Sequence, residues 1–216
     1  MLSTEQSPVA PRVDLGTHVD HWYNVECWRH FHASDIELVW HGGELASAQL
    51  KPCRTPKDQC ERAIACEVKV WDDRFKNLVT NVGRAKYLDA TLKTGLTSPT
   101  WYVLLVNNAG FSAYADADTM ASHAGWVEAD FQSNGTRPAW TPGTITGTTT
   151  ASLDNVASKA IFTIDASGTV LGCGLVDNST LSGSTGTLLG VGTFAAGARA
   201  VQSGDELRVS ITTTMS

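Results

Sequence analysis

Five of the six histidines, His18, His21, His30, His32 and His41, fall within 24 residues, and Cys27, Cys53, Cys60 and Cys66 interleave with or follow them. Imidazole and thiolate are the ligands that zinc prefers. The spacing argues against a structural site, because no C-x2-4-C pair occurs and the thiols from Cys53 to Cys66 are separated by six and then five residues. These groups read instead as partly exposed imidazoles and free thiols. Asp116, Asp118, Glu128 and Asp130 could offer oxygens to calcium, but the ion takes six to eight ligands and the EF-hand spacing is absent. They read as a solvated acidic loop. His123 beside them has the composition of an acid–base pair without a nucleophile signature.

None of G-x-S-x-G, H-E-x-x-H, G-x-x-x-x-G-K-[ST] or G-x-G-x-x-G occurs in a strand-to-helix context. No catalytic residue, metal or cofactor is therefore expected, and the chain does not read as an enzyme. The seven tryptophans carry more information, since Trp22, Trp28 and Trp40 all lie in the charged N-terminal part. Tryptophan is enriched at interface hot spots and in sugar-stacking platforms. These three are the candidate contact residues; with Trp140 they are also the candidate platform if the chain is a carbohydrate-binding module. The sequons at Asn134 and Asn178 carry no weight without a secretory signal.

The elements that must hold these residues are mostly strands. Tyr23–Trp28, Ile36–Trp40, Cys66–Trp71, Trp101–Val106, Ser158–Ile164, Thr169–Val176 and Thr187–Phe194 have strand character, and His41-Gly42-Gly43 ends the second. Ala198–Thr214 reads as a hairpin about Ser203-Gly204-Asp205, with Leu207, Val209 and Ile211 facing one way and Arg208, Ser210 and Thr212 the other. Gly172 with Gly174, and Gly190 with Gly192, stand on single strand faces where another backbone or a ring can approach closely. Leu78, Val82, Ala85, Leu88 and Leu92 recur at helical spacing, predicting one helix over about 78–93 with Gly95 at its C-terminal cap. Asn107–Gly147 reads as loop with a helical turn at Ala117–His123, and Lys51–Arg62 as an inserted loop.

At 216 residues, 42% hydrophobic and 18% charged, the chain has ample material for a core. Residues 1–90 hold 24 of the 38 Asp, Glu, Lys and Arg, which divides the chain into a loose arm (1–20), a charged Trp/His-rich β segment (21–75, with the insertion at about 51–62) and a body (76–216). A formal charge of -6 without a basic run gives no source for counterion release, so nucleic acid is not an expected partner. No window approaches a membrane span or a signal sequence, and an odd number of cysteines, five, suits a reducing compartment. The fold expected is mainly β, a β-sandwich or jelly-roll-like body with one α-helix.

Several ordered strings extend this reading. Phe75-Lys76-Asn77-Leu78-Val79, Trp101-Tyr102-Val103, Ala115–Thr119 leading to His123-Ala124-Gly125-Trp126-Val127-Glu128, Thr136–Thr144, Gly186–Phe194 and Arg199–Leu207 together resemble small virion structural proteins of tailed bacteriophages and prophages. The resemblance spans about residues 66–216, and the stretch around Lys51–Cys60 looks like an insertion relative to it. It implies a structural part of the particle, made in the host cytoplasm and resident in the virion, with no catalytic residues. A capsid decoration or cement protein is the leading expectation, probing the major capsid protein or other virion proteins as partners and forming a homo-oligomer. A tail or tail-fibre component contacting the host surface is the alternative. If the arm contacts the shell, removing residues 1–20 weakens particle binding.

Overall fold

A computed structural model of the chain describes residues 19–41, 44–52, 66–93, 98–147 and 150–215, and gives the backbone alone for 31–41, 44–52, 66 and 91. In chain order the described elements are β1 (Val19–His41), β2 (Glu44–Pro52), β3 (Cys66–Lys76), β4 (Leu78–Val79), α1 (Asn81–Leu92), β5 (Trp101–Asn107), β6 (Val127–Glu128) and β7 (Ala139–Trp140). They continue with β8 (Ala151–Asp154), β9 (Ala160–Thr163), β10 (Gly168–Val176), β11 (Leu188–Thr193), β12 (Arg199–Val201) and β13 (Asp205–Met215).

All pairings are antiparallel and make two sheets. In the first, β1 lies between β3 and β13, and β8 and β9 share the far edge of β13. In the second the order is β4-β11-β10-β5-β6, with β12 added to β10 and β7 to β5. The sheets pack face to face as the predicted β-sandwich, with one helix among the described residues. Leu207, Val209 and Ile211 on β13 are fully buried, and with Tyr23, Val25, Cys27, Phe75 and Phe162 they meet Val103, Leu105, Cys173 and Leu175 of the second sheet. Period two puts them there, since alternate residues share a face. β5 is instead a continuous apolar run because both its faces are covered: Leu104 and Val106 turn outward beneath Met120 and Trp126 of the loop after it.

Asn155 repairs the seam between β8 and β9, which pair with different parts of β13. Its buried amide donates to the Val209 and Ser158 carbonyls and accepts from Ile211 N, so the ladder continues through a side chain. The Gly190–Gly192 face serves the close approach expected of it. A Cβ on Gly190 would lie 2.2 Å from Asn77 Nδ2, and one on Gly192 2.8 Å from the Lys76 carbonyl, where the chain crosses from β3 in one sheet to β4 in the other.

Several expectations are corrected. Ala198–Thr214 is not a hairpin: β12 pairs with β10 in the second sheet and β13 with β1 in the first, so Ser203-Gly204-Asp205 turns a corner between sheets. A Gly-Asp break with alternating flanks reads alike in both cases. The predicted strands at Tyr23–Trp28 and Ile36–Trp40 are one long strand, β1, whose end at His41 was anticipated. Val19 and Asp20 belong to it, and the remainder of the arm, 1–18, lies outside the described residues. Lys51 and Pro52 close β2; the rest of the inserted loop, 53–62, and Gly95 also lie outside them. Residues 117–123 form turns joined by a Thr119–Ser122 bridge and no helix.

The helix exists but shows another face. Leu78 is in β4, and Leu88 and Leu92 are 59% and 78% exposed. Thr80 caps it, accepting from Gly83 N and donating to the Leu188 carbonyl. The side laid on β11 is that of Gly83, where an added Cβ would stand 2.1 Å from the Leu189 carbonyl oxygen. Gly83→Ala should therefore lower Tm by about 4–8 °C, the effect of about 2 kcal/mol of overpacking. Helix propensity alone gives the opposite sign, a gain of about 1 kcal/mol, so a raised Tm in a thermal melt would exclude the close approach.

Candidate interaction face

The outward positions of β1 in the body are Trp22, Asn24, Glu26 and Trp28, all partly exposed. Register fixes their neighbours. Trp22 stands between Lys76 on β3 and Thr212 on β13, Asn24 between Arg74 and Ser210, Glu26 between Asp72 and Arg208, and Trp28 between Lys69 and Glu206. Two indoles thus sit on one open sheet face, flanked by cations from adjacent strands. The Arg74 guanidinium lies 4.6 Å and the Lys76 ammonium 4.8 Å from the Trp22 ring centre, and the Arg208 guanidinium lies 4.8 Å from that of Trp28. Each contact joins a cation to the negative face of a ring.

The charges are tied across strands. Lys76 meets Asp20 at 3.0 Å, Lys159 meets Glu26 at 2.7 Å, and Arg208 bridges Glu206 at 2.6 Å and Glu67 at 2.8 Å. Partial burial would raise the Glu26 carboxyl, but hydrogen bonds from Lys159 and Trp28 outweigh it and hold the group below its ordinary range. The face is charge-compensated with aromatic anchors. Small-molecule sites are concave, whereas buried Trp and Arg dominate protein–protein contacts.

Of the predicted contact residues, Trp22 and Trp28 are brought together on this face. Trp40 stands on the same strand, opposite Leu45 of β2 and about 40 Å beyond Trp28 at the usual rise per residue; its side chain is outside the description. Phe31 is opposite both Pro52 and Cys66, so β2 and β3 flank β1 on opposite sides there and β2 continues the line of β13. The distal ribbon is thus an extension of the face-bearing sheet. Arg74, Lys76 and Lys159 were missed in the sequence; Arg208 was placed on the face of β13 opposite its core residues but was not named as a contact residue.

The groups with possible chemistry are placed otherwise. His21 is buried, with Nδ1 2.8 Å from the Thr213 hydroxyl and Nε2 2.5 Å from that of Tyr87. Burial lowers its pKa to about 4, against an opposing effect of the Asp20 charge. It borders a cleft of about 160 Å³ shared with Trp101, Trp140 and Leu189. His30 lies 3.6 Å from Glu67. Cys27 and Cys173 are free, and burial pushes both thiols up. His123 is held by the Trp126 carbonyl and stacks on its ring at 4.0 Å, while Asp118 accepts from Trp126 Nε1 and Asp116 pairs with Arg84. Among the described residues no three of His, Cys, Asp and Glu converge as metal ligands. The sequon amides are both engaged, Asn134 with the Ile161 carbonyl and Asn178 with the Thr185 hydroxyl.

Glu128 belongs to a different structure altogether, a buried pair with Arg137. Arg137 Nε and Nη2 donate to the two Glu128 oxygens at 2.8 and 2.7 Å, Nη1 donates to the Asn178 carbonyl, and Ser182 N donates to Glu128 Oε2. The pair fastens the loop around 128–137 to that around 178–183.

No protein-family model matches the chain, and no curated protein or solved structure matches it significantly.

Proposed function

We propose that the chain is a structural protein of a tailed-bacteriophage virion, a capsid decoration or cement protein that binds the assembled shell through the open face of its first sheet. The observation that carries the docking surface is the Trp22–Trp28 face with Arg74, Lys76 and Arg208 over its rings. The ordered strings between Phe75 and Leu207 support the virion setting. The mechanism is contact area and complementarity: an interface of about 1,600 Å², repeated around a shell, stabilises it without chemistry. The major capsid protein is the partner, with self-association into a homo-oligomer adding avidity.

The test is co-sedimentation of the purified protein with undecorated shells, with the heat resistance of the shells measured in parallel. Saturable binding and a raised disruption temperature are expected. Trp22→Ala and Trp28→Ala should each weaken binding about 30-fold, the effect of a hot spot of about 2 kcal/mol. Full occupancy by the doubly substituted protein would remove the face from the proposal, and absence of binding by the unaltered protein, with binding to tails or host cells instead, would transfer it to the tail.

A further inference from the structure

At the Trp28 end of the open face, where β9 ends and β13 begins, the sheet borders a pocket of about 230 Å³ lined by His30, Thr163, Asp165, Ser203 and Asp205. Glu206, the register partner of Trp28, stands on its wall and is held by Arg208, so the pocket continues the face. His30 is 8% exposed, and its Nε2 has no hydrogen-bond partner. A buried nitrogen in that state requires an explanation. We propose that the pocket is a socket for the ammonium group of a lysine side chain presented by the protein that the Trp22–Trp28 face meets, with His30 Nε2 and the Asp165 carboxylate as its acceptors. The socket rests on the docking face proposed above.

The chemistry of the walls selects a cation. Nδ1 of His30 faces the Glu67 carboxylate on β3 at 3.6 Å, which favours the ring proton on that nitrogen and leaves Nε2 a lone pair. β3 and β13 flank β1 on opposite sides, so the ring edge turned from Glu67 is the one toward the pocket. Arg29 already neutralises Asp205, at 2.6 and 2.9 Å, whereas the exposed Asp165 has no ion pair among the described residues. Carboxylate, imidazole and hydroxyl groups make up the polar lining, and among the described residues no Lys, Arg, Asn or Gln contributes to it. Lysine suits this set, as a compact charge with three donors and no acceptor, whereas arginine is matched to a planar carboxylate fork. The volume fits one side chain and falls short of the roughly 300–1,000 Å³ of a small-molecule site.

The experiment titrates the isotope-labelled full-length protein with N-acetyl-lysine methylamide while the imidazole nitrogen NMR signals are followed, that of His30 being identified by its loss in His30→Gln. Saturable movement of the His30 Nε2 signal is expected, with no response to the norleucine analogue, which keeps the stem and lacks the ammonium. Asp165→Asn, at an exposed position, should weaken the affinity at least about tenfold, the effect of one charge-assisted hydrogen bond. An immobile His30 signal would overturn the socket and leave the pocket to water. An equal response to the norleucine analogue, or an affinity indifferent to Asp165→Asn, would overturn the assignment of a cation. Shells take no part in this readout: binding of the lysine probe by a protein that fails to sediment with shells would retain the socket and remove the decoration reading, and the reverse pair of results would remove the socket alone.

Discussion

Arg137→Ala is expected to destabilise the fold by about 3–5 kcal/mol, the largest effect of any single substitution considered. The guanidinium is 1% exposed and its partner carboxylate nearly as buried. Removing the arginine leaves Glu128 as an uncompensated charge in the interior and frees the Asn178 and Gly183 carbonyls it had satisfied. Domains of this kind have a total stability of about 5–15 kcal/mol, so the loss is a large part of the whole. Chemical denaturation should show it as a fall in the midpoint. Arg137→Met combined with Glu128→Leu should recover most of the loss, because a well-packed apolar pair replaces a buried ion pair at little cost. A penalty under about 1 kcal/mol for Arg137→Ala would mean that water reaches the pair.

The second large effect is on pH. His21 has a folded pKa of about 4 against an ordinary value of 6.5, so the folded state resists the proton that the unfolded chain accepts. Its contribution is complete above pH 6.5, shrinks as the pH falls, and is lost once the pH passes about 4. The span corresponds to about 3 kcal/mol. Burial between Tyr87 and Thr213 is the cause, and the charge of Asp20 opposes it. Denaturant unfolding of the native protein and of His21→Gln from pH 7.5 to 4 isolates this group, since every other carboxylate and imidazole is common to both. The native protein should lose about 3 kcal/mol more than the variant across that range; parallel curves would show that His21 titrates normally.

What was legible in the chain followed the periodicity of single elements. The inward set Leu207, Val209 and Ile211 follows from alternation, and the strand at Trp101–Val106 from its continuous apolar run. The helix was legible in existence and hidden in orientation, because the contact that seats it is made by Gly83, a residue whose small size leaves no apolar signal. The corner at Ser203-Gly204-Asp205 was misread because local sequence reports a break and not which sheet receives the next strand. The Glu128–Arg137 pair lay within a stretch read as loop, and a buried ion pair between a two-residue strand and a loop has no spacing rule by which to find it. The cations over the indoles needed the β1–β3 and β1–β13 registers, which are set by the fold as a whole.

The length of β1 has a mechanical consequence. The strand leaves the body between β3 and β13 and continues into the ribbon with β2. A pull on the ribbon tip is therefore delivered along the axis of a central strand, and it strains the hydrogen bonds of both flanking ladders sideways and together, where peeling would open them one at a time. The protein is built so that traction at its far end is resisted by the middle of a sheet and spread at once into the sandwich core.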